Sequence, residues 1–159
     1  MIKVGDKLPE ATFSVMTAEG ATPRTTSEIF EGKKVVLFGL PGAFTPTCHK
    51  NHLPGYRDHA AQLKAKGVDT IAVTSVNDVF VMGAWRDATG SDGKVEFLAD
   101  GSAAFAKAIG LVLDLTDRGM GVRSKRYSML VQDGVVKTLN IEEAAGTAES
   151  GVEKMLTQV

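Results

Sequence analysis

The chain has 159 residues, 43% of them hydrophobic, which is enough for one continuous core without disulfide or metal staples. Eighteen Lys and Arg against nineteen Asp and Glu leave a formal net charge of −1, so the basic surface expected of a nucleic-acid or anionic-membrane binder is missing. No stretch approaches the roughly 20 apolar residues of a membrane span, and the N-terminal MIKVGDKLPEATF lacks the pattern of a secretory signal.

Taken in chain order, KKVVLFGL (33–40) is the first strong strand signal, short and almost continuously apolar, as a strand buried on both faces should be. A helix follows over roughly 46–66, with Leu53, Tyr56, Ala60 and Leu63 at three- and four-residue spacing, Gly67 as its stop and a kink expected at Pro54. VDTIAVTSV (68–76) is a second buried strand. In NDVFVMGAWRDAT, Asn77 is expected to cap a helix that turns Phe80, Trp85 and Ala88 inward. VEFLAD (95–100) is a third strand, so two right-handed βαβ units result. Ser102 opens a short helix that closes at Gly110, and RYSMLV and VVKTLNI form a hairpin about an Asp133-Gly134 turn. At the end, Ser150 and Glu153 have capping-box spacing before a helix with Val152, Met155 and Leu156 on its apolar side. A mixed sheet flanked by helices is expected.

GLPGAFTPTCHKNHLPGY, residues 39–56, holds the only cysteine. Cys48 falls between a strand end and the first turn of a helix, at the carboxyl edge of the sheet where α/β sites form. The free N–H groups and positive dipole end of a helix start favour a thiolate there. Pro41 and Pro46 stiffen the approach, Pro46 suits the first helical turn, and Thr45 or Thr47 offers a hydroxyl beside the sulfur. Against this stands the ordinary behaviour of a free cysteine as a small buried hydrophobe. The same position would also serve a cysteine hydrolase with a histidine base, or a redox sensor or chaperone-like binding protein whose interface changes when Cys48 is oxidised. His49, His52 and His59 follow, and Cys48 and His52 share a helix face; a structural zinc site needs four ligands, however, so no metal is expected. A single thiol suits a reducing compartment, and the cytoplasm is expected, although a targeting peptide already removed would leave no trace.

P-G-A-F-T-P-T-C, residues 41–48, resembles the active-site signature of the peroxiredoxins. The continuation to L-P-G-Y, with M-G-V-R-S-K-R-Y-S-M-L-V-Q-D-G at 120–134, is similar to the type II (atypical, peroxiredoxin five-like) subfamily. The resemblance extends to G-D-K-L-P near the start, V-N-D-x-F-V-M-x-A-W at 76–85 and F-L-A-D-G at 97–101. It implies a thioredoxin-like fold: one α/β domain over residues 1–159, with a central mixed sheet flanked by helices and an N-terminal extension. It further implies a thiol peroxidase in which Cys48 attacks a peroxide oxygen and Thr45 and Pro41 complete the loop. Arg123 of G-V-R-S is assigned as the remote arginine, in preference to Lys125 and Arg126. A homodimer with its interface near the active-site loop is also implied, and no cofactor.

Ionising the thiol is not the main effect to be explained, because an ordinary cysteine is already about 3% ionised at pH 7 and full ionisation gains only about thirtyfold. The larger gain must come from donors aimed at the peroxide oxygens as their bond breaks, for which Thr45, Arg123 and local backbone N–H groups are suited. Phe44, Pro46 and Thr47 are expected to line a small, partly apolar site, with Leu115 or Met120 near its mouth, open to alkyl hydroperoxides as well as hydrogen peroxide. Many type II relatives carry serine where His49 stands; a solvent-facing side chain is expected there rather than one that tunes the thiolate. Attack leaves a sulfenic acid on Cys48 that another thiol must resolve. Some type II relatives supply a cysteine near the C-terminus, but GTAESGVEKML offers Ser150 and no thiol. An external thiol is therefore required, glutathione with glutaredoxin first and thioredoxin second.

Overall fold

The computed structural model describes residues 1–159 and builds them on a mixed seven-stranded sheet. At the N-terminus, β1 (Thr12–Thr17) and β2 (Gly20–Thr25) form an antiparallel hairpin. α1 (Thr26–Phe30) follows from a capping box in which the Thr25 and Glu28 side chains each accept the other's backbone N–H. The three apolar segments become β3 (Lys34–Gly39), β4 (Thr70–Ser75) and β5 (Glu96–Ala99), parallel neighbours at the centre. Their sequences hardly alternate because both faces are covered: Val36 and Phe38 enter one hydrophobic cluster, Val35 and Leu37 the other. β6 (Val112–Leu115) and β7 (Gly121–Ser124) make a separate small ribbon. β8 (Tyr127–Gln132) and β9 (Val135–Ile141) are joined by Asp133 and Gly134, both at positive φ (49° and 78°), as a tight hairpin turn requires. The strand order is β2-β1-β5-β4-β3-β8-β9, with β1 bridging β5 through Ser14 and Ala99. The result is the thioredoxin-like arrangement implied by the family resemblance, with the first hairpin as its N-terminal extension.

The helices depart from expectation in instructive ways. The long helix after β3 is interrupted. Residues 46 and 47 are helical, Cys48–His52 form a π-helical turn, and α2 (Leu53–Asp58) and α3 (Ala60–Ala65) follow with a break at His59. Pro54 has no N–H to donate and its ring presses on the carbonyl one turn earlier. The preceding turn widens instead, Leu53 N–H reaching the Cys48 carbonyl five residues back. The irregularity expected at Pro54 thus falls on the cysteine. Leu53, Tyr56, Ala60 and Leu63 are buried as expected.

α4 (Val79–Ala88) is capped by Asp78, which accepts Val81 N–H at 2.9 Å, and not by Asn77. Val79, Met82 and Trp85 form the buried face, so of the three residues expected inward only Trp85 is buried, and Phe80 and Ala88 are exposed. α5 (Ala104–Ile109) stops at Gly110 as expected, but Asp100, accepting from Phe105 and Ala106, caps it in place of Ser102. The capping box at α6 (Val152–Leu156) does not form: Gly151 stands at the cap and Ser150 Oγ donates to Glu142 at 2.6 Å. No helix is long and apolar enough to cross a membrane.

Gly39, the last residue of β3, lies against the Tyr127 ring so closely that a Cβ there would come within 2.3 Å of it. Gly39→Ala is therefore expected to lower stability by about 1–3 kcal/mol. Urea unfolding that shows no loss would mean the strand ends are not locked in this way.

Candidate active site

The loop that leaves β3 is held before the helix begins. Ala43 N–H donates to Asn77 Oδ1 at 3.0 Å, and the same oxygen accepts Ser75 Oγ at 2.6 Å, tying the loop to the end of β4. Asn77, freed from capping α4, serves this loop instead. Thr45 Oγ1 donates to the Gly42 carbonyl at 2.7 Å, and the Thr45 carbonyl accepts His49 N–H at 2.8 Å. Thr45 thus shapes the turn, and its hydroxyl is committed to backbone rather than to sulfur. Pro46 is exposed in the first helical turn, Thr47 and Pro41 are half-buried, and Cys48 is fully buried at 0% exposure.

Cys48 Sγ accepts a hydrogen bond from Arg126 Nη2 at 3.0 Å. Arg126, rather than the expected Arg123, is thus the arginine in contact with the sulfur. Arg123 Nε donates to the Met120 carbonyl at 2.8 Å and Nη1 to the Val76 carbonyl at 3.2 Å. Its guanidinium also lies against Gly42, where an added Cβ would be 3.3 Å from Nη1. Arg123 braces the loop. The reason is register: Arg123 belongs to β7 and pairs with Leu113 in the small ribbon, whereas Tyr127 of β8 pairs with Gly39 of β3. The residue before Tyr127 therefore arrives where β3 passes into the cysteine loop. The signal was present in the sequence, since Arg126 directly precedes a strand antiparallel to the one that feeds Cys48.

The three histidines go to separate partners. His49 does not simply face solvent: its Nδ1 accepts the Trp85 indole N–H at 3.0 Å and its ring stacks on Phe44, centroids 5.6 Å apart. His59 Nδ1 lies 2.8 Å from the Gly55 carbonyl. His52, which the sequence presented only as a remote metal ligand, is 1% exposed. Its Nδ1 lies 3.0 Å from Arg126 Nη1 and its Nε2 lies 3.1 Å from the Ser150 carbonyl. Burial, reinforced by the Arg126 charge and opposed by the Ser150 carbonyl, lowers its pKa from 6.5 to about 3. Tyr56 OH donates to the same carbonyl at 2.7 Å. Ser150 is itself fixed by Glu142 Oε2, which accepts its N–H at 2.7 Å and its hydroxyl at 2.6 Å.

A cleft of about 450 Å³ opens beside the thiol, walled by Pro41 and Thr47 of the loop, Lys125 and Arg126, and Glu142 and Glu143. Phe44 is 50% exposed at a positive φ of 63° and packs toward His49 and Trp85 rather than into that cleft. Leu115 and Met120 sit at the ends of the β6–β7 ribbon, and Leu113 of the same ribbon is the residue that reaches the cleft wall. A buried thiol with a guanidinium on its sulfur and a polar cleft alongside suits a nucleophile that meets a small polar substrate.

A family model described as Redoxin matches residues 3–156. A rice protein named Peroxiredoxin-2E-2, chloroplastic, is 51% identical over 98% of this chain and 71% of its own length. The Arabidopsis thaliana protein named Peroxiredoxin-2E, chloroplastic, is 48% identical over 98% of this chain and 68% of its own. Among solved structures, reduced Prx3 of Vibrio vulnificus in complex with hydrogen peroxide superposes with a TM-score of 0.95 at 51% identity, covering 99% of each chain.

The two ring contacts of His52 require a neutral imidazole. An unfolded chain takes up the proton near pH 6.5 and the folded one only near pH 3, so the stability tied to this ring is present above about pH 6.5 and is lost as pH falls through about 3. Nitrogen-15 NMR is expected to show the Nε2–H tautomer at neutral pH with no titration near 6.5. A ring that titrates in the ordinary range would refute this environment.

Proposed function

For a chain that belongs to the Redoxin family, among the peroxiredoxins, and is thus a thiol peroxidase, we propose that Cys48 is the peroxidatic nucleophile and Arg126 its arginine. The observation that carries this is the 3.0 Å contact between Arg126 Nη2 and the sulfur of the chain's one thiol. The Cys48 thiolate attacks one peroxide oxygen; the S–O bond forms as the O–O bond breaks, and the electron pair leaves on hydroxide or alkoxide, which takes up a proton. Arg126 places positive charge beside the reacting atoms at no reorganisation cost, the form of stabilisation worth most in such a step. Pro41 and Thr45 hold the loop from which Cys48 reacts, and Arg123 supports it at Gly42. Thr47 and Pro41 border the path of the peroxide.

The finer assignments follow the same reading. The chain is a type II peroxiredoxin with a single cysteine, working as one domain over residues 1–159. It reduces alkyl hydroperoxides as well as hydrogen peroxide. The sulfenic acid condenses with an external thiol, releasing water, and a second thiol frees Cys48; glutathione with glutaredoxin is favoured because a small thiol fits a cleft of this size beside a buried sulfur, and thioredoxin is second. The mixed charges of Lys125, Arg126 and Glu143 suit the ammonium and carboxylates of such a peptide. A reducing compartment such as the cytoplasm suits a lone catalytic thiol. A homodimer is favoured through Phe44 and Phe80, 50% and 70% exposed, which Asn77 brings onto neighbouring segments. Persistence of the dimer in sedimentation of Phe80→Glu would exclude that surface.

The test is the second-order rate with hydrogen peroxide and with tert-butyl hydroperoxide for wild type, Cys48→Ser, Arg126→Met and Arg123→Met. The wild-type rate is expected to exceed that of a free thiol by orders of magnitude and to vanish in Cys48→Ser. Arg126→Met should fall by more than about tenfold, and Arg123→Met by less. An Arg126→Met rate equal to wild type would overturn the arginine assignment. A wild-type rate no better than a free thiol would make Cys48 a sensor rather than a catalyst.

A further inference from the structure

His52 is buried, uncharged and makes no hydrogen bond to sulfur, yet it touches the group that does. We infer that His52 is the positioning residue for Arg126: a neutral imidazole, anchored to the Ser150 carbonyl, orients the guanidinium so that its other amine stays on Cys48 Sγ. The inference rests on the reading that Arg126 serves Cys48.

The tautomer follows from the partners. A carbonyl oxygen 3.1 Å from Nε2 requires a proton on that nitrogen, and a guanidinium N–H directed at Nδ1 from 3.0 Å requires a lone pair there. The ring also packs against the stacked Phe38–Tyr56 pair, its centroid 4.9 Å from that of Phe38 and 5.7 Å from that of Tyr56. Its anchor is equally firm. Ser150 is clamped twice by Glu142, and Glu142 N–H donates to the Arg126 carbonyl at 2.9 Å, so one residue fixes the arginine's backbone and, through Ser150 and His52, its side chain.

The chemistry of the acceptor matters. A carboxylate in this place would pair with the guanidinium and cancel the charge that faces sulfur, while an aliphatic side chain would leave an N–H unpaired and the guanidinium free to turn. Neutral imidazole directs the cation without neutralising it. No other residue hydrogen-bonds the Arg126 side chain apart from Cys48 itself.

The experiment uses His52→Phe, which keeps a ring against Phe38 and Tyr56 but removes both hydrogen bonds, and His52→Gln, whose amide restores an acceptor and a donor. Each is made alone and with Arg126→Met, and the peroxide rate is read beside urea unfolding. His52→Phe is expected to slow the peroxide step by roughly ten- to a hundredfold, His52→Gln to recover most of it, and His52→Phe to add nothing once Arg126 is gone. A His52→Phe rate equal to wild type, or a full further loss in the Arg126→Met background, overturns the inference. If the phenylalanine variant does not fold, His52→Leu takes its place in the same cycle. A slow Arg126→Met with a fast His52→Phe defeats this inference alone, whereas an Arg126→Met at wild-type rate defeats the reading of the site beneath it.

Discussion

The register of β8 against β3 is the constraint on which the site depends. Tyr127 lies opposite Gly39, and the contact is so close that only glycine fits beneath the ring. A slip of one residue would turn every side chain of β8 to the other face. It would also withdraw Arg126, which has no other route to Cys48, a residue 78 positions away in sequence. Hydrophobic pairing in the middle of the sheet thus sets a polar contact at its end, and the arginine is placed by the strand it precedes rather than by its own loop.

Two arginines three residues apart divide the work because they leave different strands. Arg123, in the small ribbon, spends its guanidinium on the carbonyls of Met120 and Val76 and packs against Gly42. Arg126, at the edge of the main sheet, is left with sulfur and an imidazole. Arg123 supports the cysteine loop at Gly42, and Arg126 meets the sulfur that the loop carries.

The parts of this molecule that could be read from sequence are those set by local chemistry. β3, β4 and β5 declared themselves by unbroken apolar runs, the β8–β9 hairpin by Asp133-Gly134, and the stop of α5 by Gly110. Cys48 stood out because proline and threonine mark a helix start after a strand. What could not be read was set by competition between distant partners. Asn77 is as good a cap as Asp78, but Ala43 N–H and Ser75 claim its oxygen and Asp78 takes the cap. Ser150 had the spacing of a capping box and was taken by Glu142. Arg126 and Arg123 look alike in a basic run, and only pairing across the sheet separates them.

The widened turn at Cys48–His52 has a geometric result that reaches back to the thiol. A π-helical turn carries one residue more than an α-helical turn, so the chain before it is rotated by about 100° relative to an unbroken helix continuing from α2. Pro54, six residues beyond the cysteine and remote from any reacting atom, therefore sets the azimuth at which the sulfur leaves the helix axis. Aim, in this site, is fixed by an imino acid that takes no part in the chemistry.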